Sequence, residues 1–211
     1  IDKMKADRGV TYDVELTAAD LKELAELVRL AQERTGEDFL PLPEELLPLL
    51  DRSVSLYESV AHKTRLLQDY GRRVKHVVRG KRVRVHMEEI ADSLEEKADW
   101  LMAHLRRQEW ISTEDGGWYN SYYDNHQRRV DGIFPDGVRM MLTGQVFAIM
   151  SGTATEEQIR SITAAADRFL YTPETGGYRL NTDFRTHGFD LGRMFSFAYG
   201  EKENGAVFSH M

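Results

Sequence analysis

The sequence contains no cysteine. That excludes a disulfide scaffold, thiolate zinc sites, cysteine nucleophiles and redox pairs, and it is compatible with a reducing cytoplasm. No uninterrupted apolar run approaches the ~20 residues of a membrane span. The N-terminal Ile1-Asp2-Lys3 lacks the apolar core of a signal peptide, so a soluble, cytoplasmic protein is expected. Several catalytic phrases are also missing: there is no GxSxG elbow, no Walker loop and no GxGxxG. The seven histidines, His62, His76, His86, His104, His126, His187 and His210, form neither HExxH nor HxH, and no metal site is expected.

What is present is a chain of 211 residues, 41% hydrophobic and 10% aromatic, able to bury a sizeable core as one large domain or two small ones. It carries 28 Lys plus Arg against 35 Asp plus Glu, a formal charge of −7. Acidity overall argues against nucleic acid as a partner. The basic run from Arg72 to Arg84 alternates with valine, and reads as the charged face of a hairpin turning near Gly80, with Val74, His76 and Val78 before it and Val83 and Val85 after.

Leu21, Leu24, Ala25, Val28 and Ala31 recur at helical steps, with Thr17 placed to cap the first turn and Gly36 to end the last. Pro41, Pro43 and Pro48 predict a break followed by short helices over 44–70. A second long helix is predicted over 87–109. The segment 110–134, with Trp118, Tyr119, Tyr122 and Tyr123 between Gly116-Gly117 and Asp131-Gly132, reads as a long aromatic loop with some strand character. Val138 to Met150 is apolar almost all round, as an inner helix would be. Thr155 and Gln158 have capping-box spacing and open a helix through Phe169. A second long loop follows over 172–190. Helices joined by long loops favour an all-α domain with its chemistry on the loops.

The loop aromatics could stack on a pyranose ring or pack as core. Glu88/Glu89, Glu95/Glu96 and Glu156/Glu157 sit on helix surfaces or first turns, where acids are ordinarily solvated or face the helix dipole. The densest polar phrase is terminal. Glu201, Lys202, Glu203, Asn204 and His210 lie between and after glycines, a composition suited to a hydrogen-bonding wall for a polyol, with Lys202 or His210 able to meet an anion.

Lys202-Glu203-Asn204-Gly205-Ala206-Val207-Phe208-Ser209-His210 resembles the KENGGIFxH phrase of glycoside hydrolase family 94, the inverting glycoside phosphorylases. Gly116-Gly117-Trp118-Tyr119 through Asn125 is similar to that family's DGxWYxxAYDD segment. Gly144 to Gly152 with Ala154 to Gln158 is similar to NGQxWAVISGxATxEQ. The phrases occur in the family's order over about residues 85–211. Asn181-Thr182-Asp183-Phe184 and Asp190 to Phe195 are most similar to the branch that acts on 1,2-β-oligoglucans.

The resemblance implies an (α/α)6 barrel, present as a partial barrel with long loops and short hairpins, so that residues 1–211 are a fragment of one catalytic domain. It implies phosphorolysis of a β-linked glucooligosaccharide, β-1,2 by the branch, to α-glucose 1-phosphate. Inorganic phosphate is then a co-substrate and no cofactor is needed. It places Lys202 on the acceptor-sugar side and His210 on phosphate, with Glu203, Asn204 and Arg193 as further substrate-binding candidates. It also leaves room for a homodimer of the full-length protein.

The chain departs from the family at the general acid. That residue is the second aspartate of an ADWND phrase, whereas Asp99-Trp100 is followed by Leu101-Met102 inside a predicted helix. Ile1-Asp2 resembles the residues that follow ADWND, so the acid is expected just upstream of Ile1, and the 211 residues alone are expected to be inactive. A hydrolase on the same barrel and a non-catalytic carbohydrate-binding module are the alternatives that phosphate dependence would separate.

Overall fold

A computed structural model of the chain describes residues 11–74, 80–114, 116–124, 126–185, 191 and 197–208, with the backbone alone for 11–14. The described residues fall into two compact units. One comprises those up to Leu16 and from Met102 onward, and the other is Thr17–Leu101.

Thr17–Leu101 holds most of helix α1, Thr11–Thr35. The helix begins ahead of Thr17, which lies inside it and does not cap it. Its buried positions are small or polar, Ala18, Ala25 and Glu15, so the start leaves little trace in a hydrophobic pattern. Strand β1, Phe39–Pro43, absorbs the two prolines. Two 3-10 turns, Glu44–Leu50 and Val54–Leu56, precede α2, Val60–Val74, as the proline-broken pattern implies. Strand β2, Arg82–His86, pairs antiparallel with β1, from Phe39 opposite His86 to Pro43 opposite Arg82.

This pairing corrects the hairpin expected around Gly80. Val74 ends a helix, and Val83 and Val85 find their partners at Leu42 and Leu40, far back in the sequence. His76 and Val78 lie outside the described residues. Helix α3, Met87–Gln108, begins directly after β2. Arg29 bridges it at Asp92 (3.2 Å) and Glu95 (2.7 Å), and Lys22 at Asp99 (2.7 Å). Asp99-Trp100 is helical, with Trp100 edge-on to Tyr57 at 5.5 Å.

The other unit is built from short antiparallel ribbons on two helices. Strands β3 (Trp110–Thr113) and β4 (Gly116–Tyr119) pair, as do β5 (Gly132–Phe134) and β6 (Gly137–Arg139). Helix α4, Leu142–Met150, is shorter than the apolar run that predicts it, because Val138 and Arg139 belong to β6. It is not covered all round either, since Met150 is exposed. Helix α5, Glu156–Phe169, starts with the predicted capping box of Thr155 and Gln158. Strands β7 (Tyr171–Thr172) and β8 (Gly177–Tyr178) form the last ribbon.

Trp118, Tyr119, Met140, Leu142, Ala148, Ile162 and Leu170 form the main core of this unit, and Val130, Met141, Phe184 and Leu191 a second cluster. Among the described residues no helix is long and apolar enough to cross a membrane.

Candidate active site

The terminal polar phrase folds as a tight turn. Glu201 and Asn204 face each other in an antiparallel bridge, with Asn204 N donating to Glu201 O at 3.0 Å and Gly200 N to Asn204 O at 2.7 Å. Lys202 and Glu203 occupy the exposed tip. Lys202 has φ +47, a left-handed conformation that disfavours a residue with a Cβ by roughly 1–2 kcal/mol. Its ammonium lies 4.7 Å from the centre of the Phe197 ring, a cation–π contact. Gly205 turns the chain back with φ +74, and a Cβ there would come within 2.3 Å of the Tyr199 ring.

Asn204 is placed differently from its two neighbours. It is buried, its Nδ2 donates to Phe197 O at 2.8 Å, and its Oδ1 accepts from Asn181 Nδ2 at 3.1 Å. Asn181 is fully buried and also accepts from Gly205 N at 2.7 Å, while its own carbonyl accepts from Tyr199 Oη at 3.2 Å. The Asn181 backbone bridges Met141 at the start of α4. Leu142 N donates to Leu180 O at 2.8 Å on one side, and Thr182 N to Met140 O at 3.0 Å on the other.

A second buried hub meets the same place. Asp131 accepts from Met141 N (2.8 Å) and Ser121 N (2.9 Å), and Asn120 Oδ1 accepts from Val130 N (3.1 Å). Burial raises the Asp131 carboxyl to about 7 despite those backbone donors. Asn120 Nδ2 donates to Glu109 at 3.0 Å, and Tyr123 Oη donates to the same carboxylate at 2.9 Å. Glu15 is fully buried, and neither of its oxygens has a hydrogen-bond partner among the described residues. Burial, reinforced by the charge of Glu109, pushes its carboxyl up to about 9. Glu15 is therefore neutral at pH 7.

The family-like phrases upstream serve as scaffold. Gln145 sits between α4 and β4 and pairs with the Tyr119 backbone. Ser161 Oγ donates to Gly117 O at 2.9 Å, and Tyr119 Oη donates to Gln158 at 2.8 Å. Trp118 and Tyr119 are almost wholly buried, so of the two alternatives for these rings the structure takes core packing. Tyr122 and Tyr123 are half-buried, the latter tied to Glu109.

Of the residues assigned from the sequence, Lys202 and Glu203 stand together at the turn tip and Asn204 supports them from inside. Arg193 and His210 lie outside the described residues. Among the described residues no group of three or more His, Asp or Glu could hold a metal ion. The exposed tip carries one ammonium and one carboxylate in consecutive residues, group types that hydrogen-bond hydroxyls. Sequence reasoning passed over Asn181, Asp131 and Gln145 as site-building residues. Gln145 is marked by being a lone amide in the mainly apolar stretch from Met140 to Met150, whereas Asn181 and Asp131 stand in polar phrases that carry no such signal.

The family model of the glycosyl hydrolase 94 superfamily catalytic domain matches residues 78–211. The N,N'-diacetylchitobiose phosphorylase of Vibrio proteolyticus is 32% identical over 98 residues, 46% of this chain and 12% of that protein. The solabiose phosphorylase of Paenibacillus borealis is 30% identical over 96 residues, with the same shares. The chain thus covers only 12% of the length of these curated relatives. With the match reaching from β2 through the Lys202 turn, the chain belongs to the glycosyl hydrolase 94 superfamily.

Proposed function

We propose that this chain is part of an inverting glycoside phosphorylase on an (α/α)6 barrel. The enzyme cleaves a β-linked glucooligosaccharide, β-1,2 in linkage, with inorganic phosphate, and releases α-glucose 1-phosphate in the cytoplasm without an organic cofactor. The family match over 78–211, which includes the Lys202 turn, carries this reading. Two relatives named as phosphorylases favour phosphate over water as the nucleophile. The wording of residues 181–184 and 190–195 supports the linkage.

Inversion requires one group to protonate the leaving oxygen while a nucleophile attacks the anomeric carbon from the opposite face. Water in that position needs a carboxylate base. Phosphate is already anionic, so the site needs cationic donors that hold it in line, and no second base. In this reading an aspartate is the general acid and His210 binds phosphate. Lys202 and Glu203 contact the acceptor sugar, Arg193 contributes on the substrate side, and Asn204 acts from beneath the turn.

The test is to incubate the full-length protein with β-1,2-glucooligosaccharides, with and without phosphate, and to assay glucose 1-phosphate. Product that depends on phosphate supports the reading. Equal sugar release without phosphate points to a hydrolase on the same barrel, and saturable binding without turnover to a carbohydrate-binding module.

A further inference from the structure

The turn tip is exposed, its most prominent side chain is in a strained backbone conformation, and the part of it that faces inward is polar. Such a turn holds one shape only if the fold over-determines it. Arg179 Nη1 to Gly205 O (2.9 Å) and Leu180 N to Ala206 O (3.0 Å) hold the exit of the turn, but one side chain reaches both of its ends. Asn181 accepts from Gly205 N at 2.7 Å, where the chain leaves the tip, and donates to Asn204 Oδ1 at 3.1 Å. Asn204 then passes the constraint to the segment entering the tip, through Nδ2 to Phe197 O at 2.8 Å. Phe197 is the ring beneath the Lys202 ammonium. Both ends of the turn and the seat of the lysine side chain are thus referred to one amide.

That amide is itself anchored in the fold. Asn181 is fully buried, bridges Met141 through its backbone, and lies one residue from the Leu142 N to Leu180 O bond. Met141 N in turn donates to Asp131. The geometry points to Asn181 as a positioning residue for Lys202, fixing where the ammonium meets the sugar through Asn204 and the Phe197 carbonyl. It touches no substrate. This assignment rests on the proposed contact between Lys202 and the acceptor sugar.

The chemistry of an amide makes it specific. An asparagine offers an acceptor to Gly205 and a donor to Asn204 at the same time. Aspartate has the same shape and offers only acceptors when ionised. Asn181→Asp therefore sets two oxygens against each other at Asn204. If the Asn204 amide flips to relieve this, the clash moves to the Phe197 carbonyl, and another remains at Thr182 O, to which Asn181 Nδ2 also donates at 2.9 Å.

The experiment is a double-mutant cycle in the full-length enzyme, assayed in the synthetic direction with glucose 1-phosphate and acceptor sugar, and in phosphorolysis with phosphate. Asn181→Asp should raise KM for the acceptor about tenfold, as loss of one positioning hydrogen bond would, and leave KM for phosphate within twofold. In a Lys202→Ala background it should add nothing to the acceptor KM, since its effect passes through Lys202. Equal effects in both backgrounds, or equal changes in both Michaelis constants, would overturn the assignment. Asn204→Asp is the second variant and should reproduce the pattern if Asn181→Asp folds poorly.

Hydrogen exchange at Gly205 N–H gives a readout besides activity. Asn181→Ala should speed it at least tenfold, and unchanged protection would also overturn the assignment. A wild-type enzyme that is active but indifferent to Lys202→Ala would reject the sugar contact of Lys202, while exchange at Gly205 still reports whether Asn181 holds the turn.

Discussion

Gln145 and Tyr119 pair as two peptide groups do. Tyr119 N donates to Gln145 Oε1 at 2.8 Å, and Gln145 Nε2 donates back to Tyr119 O at 2.8 Å. Strand β4 thereby gains, from one side chain of α4, the ladder it would otherwise obtain from a third strand. Nε2 also donates to Met141 O at 3.1 Å, which ties the same amide to the residue that precedes its own helix.

Gln145→Leu keeps the volume and removes all three bonds, leaving the Tyr119 N–H and C=O buried without those partners. A loss of about 2–4 kcal/mol is expected, read as a lower denaturation midpoint in urea for the full-length protein. A midpoint within experimental error of wild type would show that the pair does not hold β4.

Stability should fall as pH rises because of Glu15. Its folded carboxyl titrates near 9, against an ordinary value of 4.5. Between those values the unfolded chain has released its proton and the folded one has kept it, so unfolding releases a proton and each rise in pH favours the unfolded state. Asp131, raised from 3.8 to about 7, adds the same sign over a lower window. Glu15→Gln mimics the neutral acid. It should raise the melting temperature at pH 8 and leave it nearly unchanged at pH 5. A variant that loses stability equally at both values would mean that Glu15 is ionised in the fold.

Gly144 marks a close approach between α4 and the segment after β4. A Cβ there would lie 2.3 Å from Ser121 Oγ and 2.9 Å from Ser121 Cβ. Gly144→Ala should therefore destabilise the protein by about 1–3 kcal/mol, although alanine normally favours a helix over glycine. Ser121→Gly in the same molecule should recover part of the loss. No recovery would place the strain in the helix backbone.

For the phosphate side, His210→Asn in the full-length enzyme should raise KM for phosphate or lower turnover, with oligosaccharide affinity and melting temperature little changed. A histidine beside a dianion is favoured in its charged form, so wild-type phosphate affinity should weaken as pH rises through the histidine range. Unchanged phosphate kinetics together with a large fall in melting temperature would make His210 structural.

The elements legible in the sequence were those set by local interactions. The period of α3 and the Thr155 to Gln158 capping box are complete within a few turns, and the structure places them where the pattern predicts. The strands were harder. Residues 110–113 and 116–119 are too short to show alternation, so in sequence their ribbon reads as a loop with only some strand character. The partner of Val83 is Leu42, a pairing that no window around Gly80 contains. In the candidate site the phrase from Lys202 to Asn204 is uniformly polar, and burial alone separates the exposed tip from the inward amide. Trp118 and Tyr123 likewise share one aromatic phrase, and only packing sends the first into the core.

The β1–β2 ribbon has a consequence for how such a chain can change over generations. Because Pro43 lies opposite Arg82, the polypeptide between them departs and returns at one doorway. The entropy of closing a loop grows only with the logarithm of its length. An insertion at an exposed point between Pro43 and Arg82 therefore adds little closure entropy, whereas losing the segment would also lose the contact of Tyr57 with Trp100.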